Sequence, residues 1–254
     1  MANVQTNLVP QISNDAPWRW LAAGWRDLTR APLYSLGYGA LFVGIGAAVT
    51  YGLWQSGFSA LIPVALGVFA LVGPLVAVGL YEISRRLEAG EPLDFVGVFM
   101  VKTKSPAQIA LIGFFIMFAA LVWMLFAIVL YAIFSSASYA PLGDFLSFAL
   151  STPAGLTMLA VGSLIGGAIA FCIYMLTVFS IPMLMDQDTD IFTAIHKGIT
   201  AVRNNPAPML LWAWLIAIIT AAGVATFFVG LAVAFPLLGH ASWHAYRDAI
   251  GSEA

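Results

Sequence analysis

The sequence predicts an all-α, polytopic membrane bundle, and three observations predict it. Of 254 residues, 61% are hydrophobic and only 9% are charged. Apolar runs long enough to cross a bilayer recur along the chain, and the basic residues collect in the gaps between alternate runs. A soluble domain of this length cannot hide so much apolar surface behind a charged exterior. The net charge of −2 says little about partners, and without a basic nucleic-acid-binding stripe no nucleic-acid partner is expected. The one cysteine, Cys172, lies inside an apolar run, so neither an internal disulfide nor a CxxC motif is available.

Residues 1–14 read as a flexible polar tail, lacking the basic start and apolar core of a signal peptide. The remainder, 15–250, reads as one transmembrane domain. Its first segment, "DAPWRWLAAGWRDLTRAP", is an amphipathic helix at the membrane surface. Trp18, Leu21, Trp25 and Leu28 form an apolar stripe beside a basic one of Arg19, Arg26 and Arg30. Such a helix rests at the headgroups, and we assign Trp18, Arg19, Trp25, Arg26 and Arg30 as its interfacial anchor. Spans of about 20 residues or more then fit Leu33–Trp54, Ser59–Tyr81, Ala107–Phe134 and Thr157–Met185. The connector Ser135–Gly155 carries Asp144, and its middle, Phe145–Leu150, suits the opposite interface. The last run, Ala207–Gly239, reads either as one tilted helix or as a hairpin turning at "AAGVATFF" around Gly223.

Charge chooses between these. With six spans every Lys and Arg lies on one side; with five, Arg247 is stranded opposite the rest. The positive-inside rule therefore predicts six spans, both termini cytoplasmic, in a bacterial inner membrane. The same count follows from an internal repeat. "TRAP" (Thr29–Pro32), "TKSP" (Thr103–Pro106) and "RNNP" (Arg203–Pro206) each follow a helix-like segment opened by an acid: Asp15, Asp94, and Asp188 or Asp190. Acids suit a helix N-terminus, and proline turns the chain into the next span. Each return span carries a proline, Pro74, Pro182 or Pro236, with Glu82, Asp190 or His244 eight residues on. Three repeats, approximately 15–90, 91–187 and 188–250, each supply a short interfacial helix and a helical hairpin.

Small residues at spacing four, Ala40–Gly44–Ala48 and Gly162–Gly166–Ala170, suit close helix contact within the monomer. The run Phe114–Phe134 is bulky and suits lipid or a partner. No Asp, Glu, Lys or Arg lies near the middle of a span, which argues against ion-coupled transport.

The ionisable residues gather at span ends. Glu82, Arg85, Asp186, His240, His244 and Arg247 form a candidate polar cluster at the cytoplasmic rim if the repeats share an axis. His240 and His244, four apart on one helix face, supply two metal ligands where three or four are needed. The competing reading places them in an ordinary aromatic and basic belt with Trp243, Tyr246 and Arg247. No haem-attachment motif, GxSxG, HExxH, P-loop or GxGxxG is present, so we assign no catalytic residue, metal or cofactor.

The segments "PWRWLAAGWRDLTRAP", "GPLVAVGLYEISRRLEAGE", "SIPMLMD" and "PLLGHASWHAYRD" resemble a bacterial family of integral membrane proteins of unknown function. Some members carry the label of a cytochrome c oxidase subunit. A haem–copper catalytic subunit resembles about twelve spans with about six metal-binding histidines. Three histidines here leave only an accessory role under that label. The expectation is a non-enzymatic accessory or interaction protein, in a larger membrane complex or as a homo-oligomer. The alternatives are a channel or permease for a small neutral or lipid-like solute, then a metal- or haem-binding membrane protein.

Overall fold

The computed structural model describes residues 11–135 and 141–250, and every regular element among them is helical. In chain order these are α1 (Ala16–Arg30), α2 (Pro32–Gln55), a 3₁₀ turn at Ser59–Leu61, α3 (Ile62–Val76), α4 (Val78–Ala89), α5 (Phe95–Phe99) and α6 (Pro106–Phe134). There follow α7 (Leu142–Ser151), α8 (Pro153–Thr177), α9 (Ser180–Asp186), α10 (Ile191–Asn204), α11 (Pro206–Ala225) and α12 (Leu231–Ala249). The first ten residues of the polar N-terminal segment, and 136–140 of the Asp144 connector, lie outside the described residues.

Five stretches are long and apolar enough to cross a membrane: Pro32–Gln55, Ser59–Ala89, Pro106–Phe134, Pro153–Asp186 and Pro206–Ala225. The last apolar run is not one helix. It breaks at 226–230, just beyond the Gly223 position read from sequence, and α12 folds back along α11. At one end a Cβ on Gly223 would lie 2.6 Å from Leu231; at the other, Trp212 of α11 and Asp248 of α12 both meet Trp20. The turn holds two consecutive phenylalanines in the left-handed region, Phe227 (φ 51°) and Phe228 (φ 69°). Thr226 closes it, donating to the Gly223 carbonyl (2.8 Å) and accepting the Gly230 N–H (2.8 Å). At 19 residues α12 rises about 28 Å, but its second half holds His240, His244, Arg247 and Asp248, so it falls outside the apolar set.

Ala31, Ser105 and Asn205, the residues before Pro32, Pro106 and Pro206, share one backbone conformation: (−128°, 54°), (−125°, 64°) and (−127°, 56°). Proline at the following position cannot donate a hydrogen bond and excludes its predecessor from the helical region. The chain therefore turns the same corner three times. All three corner residues are buried. The segments before them differ more. α1 and α10 run for 15 and 14 residues, while α5 is little more than one turn. Asp94 and Asp190 cap their helices by accepting backbone N–H groups, whereas Asp15 stands at the cap position of α1 with no side-chain cap bond.

Packing is dense at the end where these corners meet and sparse along the spans. Leu80, Ile83, Phe179, Met183, Leu184, Met209, Trp243 and Tyr246 are all buried there. The spans bury from 11% of their apolar window, in α2, to 33%, in the α8–α9 stretch. The Ala40–Gly44–Ala48 stripe faces away from the bundle, not into it as the sequence reading expects. The close approach lies one residue aside, at Gly39. Pro236 leaves the Ala232 carbonyl without its helical donor, and a Cβ on Gly39 would stand 2.4 Å from that oxygen. Gly24 of α1 meets the Ala241 backbone in the same way.

Gly39→Ala is therefore expected to destabilise the protein by about 1–3 kcal/mol through overpacking. Gly37→Ala, with nothing within 4 Å, should leave stability unchanged or slightly raised. Thermal unfolding of both variants in the same detergent checks this.

Candidate functional site

The polar half of α12 is enclosed by α1, α2, α4, α9 and α11. His240 is 0% exposed. Its Nε2 lies 2.9 Å from Ser35 Oγ of α2, and its Nδ1 lies 2.8 Å from Ser84 Oγ of α4. Ser84 also lies close to the Asp27 carboxylate of α1. The Asp27 carboxylate can only accept. It accepts from His244 Nε2 at 2.7 Å. The result is one polar group of Ser35, His240, Ser84, Asp27 and His244, drawn from four helices. Burial works to raise the Asp27 carboxyl, but the hydrogen bond from His244 and the nearby Ser84 hydroxyl prevail and hold it below the usual carboxylate range.

A second group closes the end of α4. Arg85 grips Glu82 with two nitrogens, at 2.7 and 3.0 Å, and Arg86 reaches the same carboxylate at 2.6 Å. Beyond Glu82, Arg85 pairs with Glu91 (2.7 Å) and Arg86 with Asp94 (2.7 Å). The Gly97 N–H and the Arg86 guanidinium hold Asp94 below the ordinary carboxylate range. This clamp fastens the α4–α5 turn, where Gly90 supplies the left-handed residue (φ 67°).

A third group ties α12 to α9 and α4. Tyr246 donates to Asp186 (2.9 Å) and accepts from the Gln187 amide (3.0 Å). Arg247 lies between Glu88 (3.3 Å) and Asp186 (3.7 Å), and the Trp243 indole donates to Glu88 (3.1 Å). The proline corners are held too. Ser105 donates to the Gln187 and Thr189 carbonyls, and the Asn205 side-chain Oδ1 accepts the Ile12 N–H at 2.8 Å.

The six residues grouped from sequence thus lie in one layer but divide among three networks: Glu82 with Arg85, Asp186 with Arg247, and the two histidines separately. Trp243 and Tyr246 are buried, so this segment is interior rather than a headgroup belt. Asp27, Ser35, Ser84 and Glu88 complete the networks and were not singled out by sequence. Asp27 carried one legible signal: a lone acid on a helix whose other charges past its start are all arginine. In α1 the protein-facing side is Ala16, Trp20, Ala23, Gly24, Asp27 and Leu28. Trp18 and Trp25 are 56% and 51% exposed, beside exposed Arg19, Arg26 and Arg30. The Trp212 indole N–H, buried and without a hydrogen-bond partner, belongs to a ring packed edge-on to Trp20 at 5.6 Å. Among the described residues no three His, Cys, Asp or Glu side chains converge as a metal ion requires.

An apolar bundle closed at one end by a layer of paired charges is the form of a membrane-embedded chain. Residues 61–186 match the family model of a predicted integral membrane protein, DUF2189. That is the uncharacterised membrane family the sequence resembles, and the matched stretch runs from the 3₁₀ turn before α3 to the end of α9, taking in Glu82, Arg85 and Asp186. No curated protein and no solved structure matches the chain.

The Asp27 linkage has a sign. A carboxyl lowered on folding adds stability above its unfolded value, and that stability is lost as pH falls through the folded one. Acid titration of unfolding in detergent should show this loss below about pH 4, the unfolded carboxylate value. Asp27→Asn should remove that component, at a cost near neutrality of about 1.5–3 kcal/mol for the charged hydrogen bonds.

Proposed function

We propose that this chain is a non-enzymatic interaction protein of the bacterial inner membrane, an accessory subunit of a larger complex or a homo-oligomer. It crosses six times in three hairpin repeats with both termini cytoplasmic. The three matching proline corners support the repeats, and the return of α12 along α11 supports the sixth crossing. The observation that carries the interaction reading is the outward Ala40–Gly44–Ala48 face of α2. Small residues at spacing four favour close approach of another helix, and a Cβ on Gly44 meets nothing within 4 Å. The outward side of α6, with Phe114, Phe118, Leu121 and Leu125 bare, offers a second, bulky surface. The channel reading draws less support, because the two cavities in the bundle share no lining residue. The metal or haem reading draws less again, since His240 and His244 already have hydrogen-bond partners.

Purification in a gentle detergent should recover the chain with a stoichiometric membrane partner or as an oligomer. Gly44→Ile should weaken that association by about tenfold, or 1.4 kcal/mol, while leaving the melting temperature of the separated chain unchanged. Repeated isolation of a lone monomer, or an association indifferent to Gly44→Ile, would count against the proposal. A reporter fused after Ile250 should be active on the cytoplasmic side; activity on the other side removes the sixth span.

A further inference from the structure

The bundle contains a cavity of about 460 Å³ between α3, α6 and α8, with α7 across one end. Trp123 of α6 narrows it toward its inner end. The indole is wedged between Gly67 of α3 and Gly166 of α8, where a Cβ on either glycine would stand 2.5–2.6 Å from the ring. The Trp123 N–H points at the Val64 carbonyl (3.4 Å). On the α7 side of this wedge the α8 wall continues as Gly162 and Ser163, and on the other side as Gly167 and Ala170, facing Leu71 of α3. Leu130 and Tyr131 of α6 and Phe145 of α7 bound the far end.

Three facts define an occupant. The cavity is bounded by three helices that contain no Asp, Glu, Lys, Arg or His. An apolar void of this size does not hold water, which needs two to four polar partners, and its volume lies in the range of ligand pockets. Its depth matches one leaflet. From Trp123 to Tyr131 α6 rises about 12 Å, against about 15 Å for half the hydrocarbon core. Ser163, Gly167 and Ala170 of its α8 wall are exposed, so the cavity opens along the flank of the bundle, and at the α7 end, away from the arginines and lysines, Asp144 is the one charged side chain among the described residues. That end offers no cation to an anionic headgroup.

We propose that this cavity is a binding site for one acyl chain of a bilayer phospholipid, inserted with its terminus against Trp123 and its uncharged-overall headgroup at α7. The site is independent of whether the chain has a protein partner, since it faces a different helix pair from the α2 stripe. The bilayer supplies the ligand directly, and the Gly67–Trp123–Gly166 wedge sets how far the chain can enter.

The test fills the space from the protein side. A Cβ on Gly167 meets nothing within 4 Å, so Gly167→Phe should occupy the cavity without disturbing the backbone, and Ala127→Phe approaches it from α6. Ile218→Phe, on the bare face of α11, is the control. Native mass spectrometry of the purified chain should show one retained phospholipid in wild type and in Ile218→Phe, and loss of at least tenfold in both filling variants, all four melting within a few degrees of one another. In phosphatidylcholine nanodiscs, bromine near the chain terminus should quench tryptophan fluorescence more in wild type than in either filling variant. A retained species with the mass of an isoprenoid, or of an anionic phospholipid in preference to a zwitterionic one, overturns the proposed ligand. Equal lipid retention and equal quenching across all four proteins overturns the site.

Discussion

A helix carrying two histidines, an arginine and an aspartate in its last ten residues cannot lie in lipid, and α12 is such a helix. An ionisable side chain at mid-bilayer costs about 2.5–3.5 kcal/mol even on insertion scales. The rest of the bundle is arranged around that constraint. α1, α2 and α4 close on α12 from three sides, and at Gly24 and Gly39 they do so backbone to backbone. The proline that frees a carbonyl in α12 lies where Gly39 can reach that carbonyl. Each polar group thus buried is then spent on a partner: His240 on two serines, Tyr246 on Asp186, Trp243 on Glu88.

This explains why the tight core lies at one end of the molecule. Between spans there is no hydrophobic driving force, because lipid tails are as apolar as leucine. Close packing in that region depends on shape alone, as at Trp123 between its two glycines. Where the helices emerge toward water, burial of apolar surface regains its value, and hydrogen bonds add direction. Phe179, Met183, Leu184 and Met209 pack there around the polar networks. The spans beyond are held chiefly at that end, which leaves their flanks open to lipid or to other helices.

Much of this was legible in the sequence. The runs, the grouping of basic residues and the proline corners rest on composition and on local backbone sterics, which need no tertiary information. The hairpin in the last run followed from charge, and its turn fell a few residues late because Thr226, not Gly223, closes it. The α1 stripe was harder. A surface helix in a membrane protein has two apolar sides, one toward lipid and one toward protein, and hydropathy does not separate them. Trp18 and Trp25 belong to the first; Ala16, Ala23 and Gly24, too small to register as a stripe, belong to the second with Trp20. The polar cluster was seen as one rim and is three networks. Which acid meets which base depends on helix rotation, and the serines that complete the His240 chain carry no charge to betray them.

The contacts of α1 also impose an order on synthesis. Asp27 finds His244 across 217 residues, and the Ile12 N–H finds Asn205 across 193. At about 5–20 residues per second, the first helix waits on the order of 10–40 s for the last. Through that interval its inward face, with Trp20 and a carboxylate, has no permanent neighbour, while its tryptophan and arginine side can already rest on the membrane surface. Packing is thus what α1 does last. The fold closes as a ring whose clasp is the C-terminal hairpin, so a chain stopped before α11 leaves its own beginning unfastened.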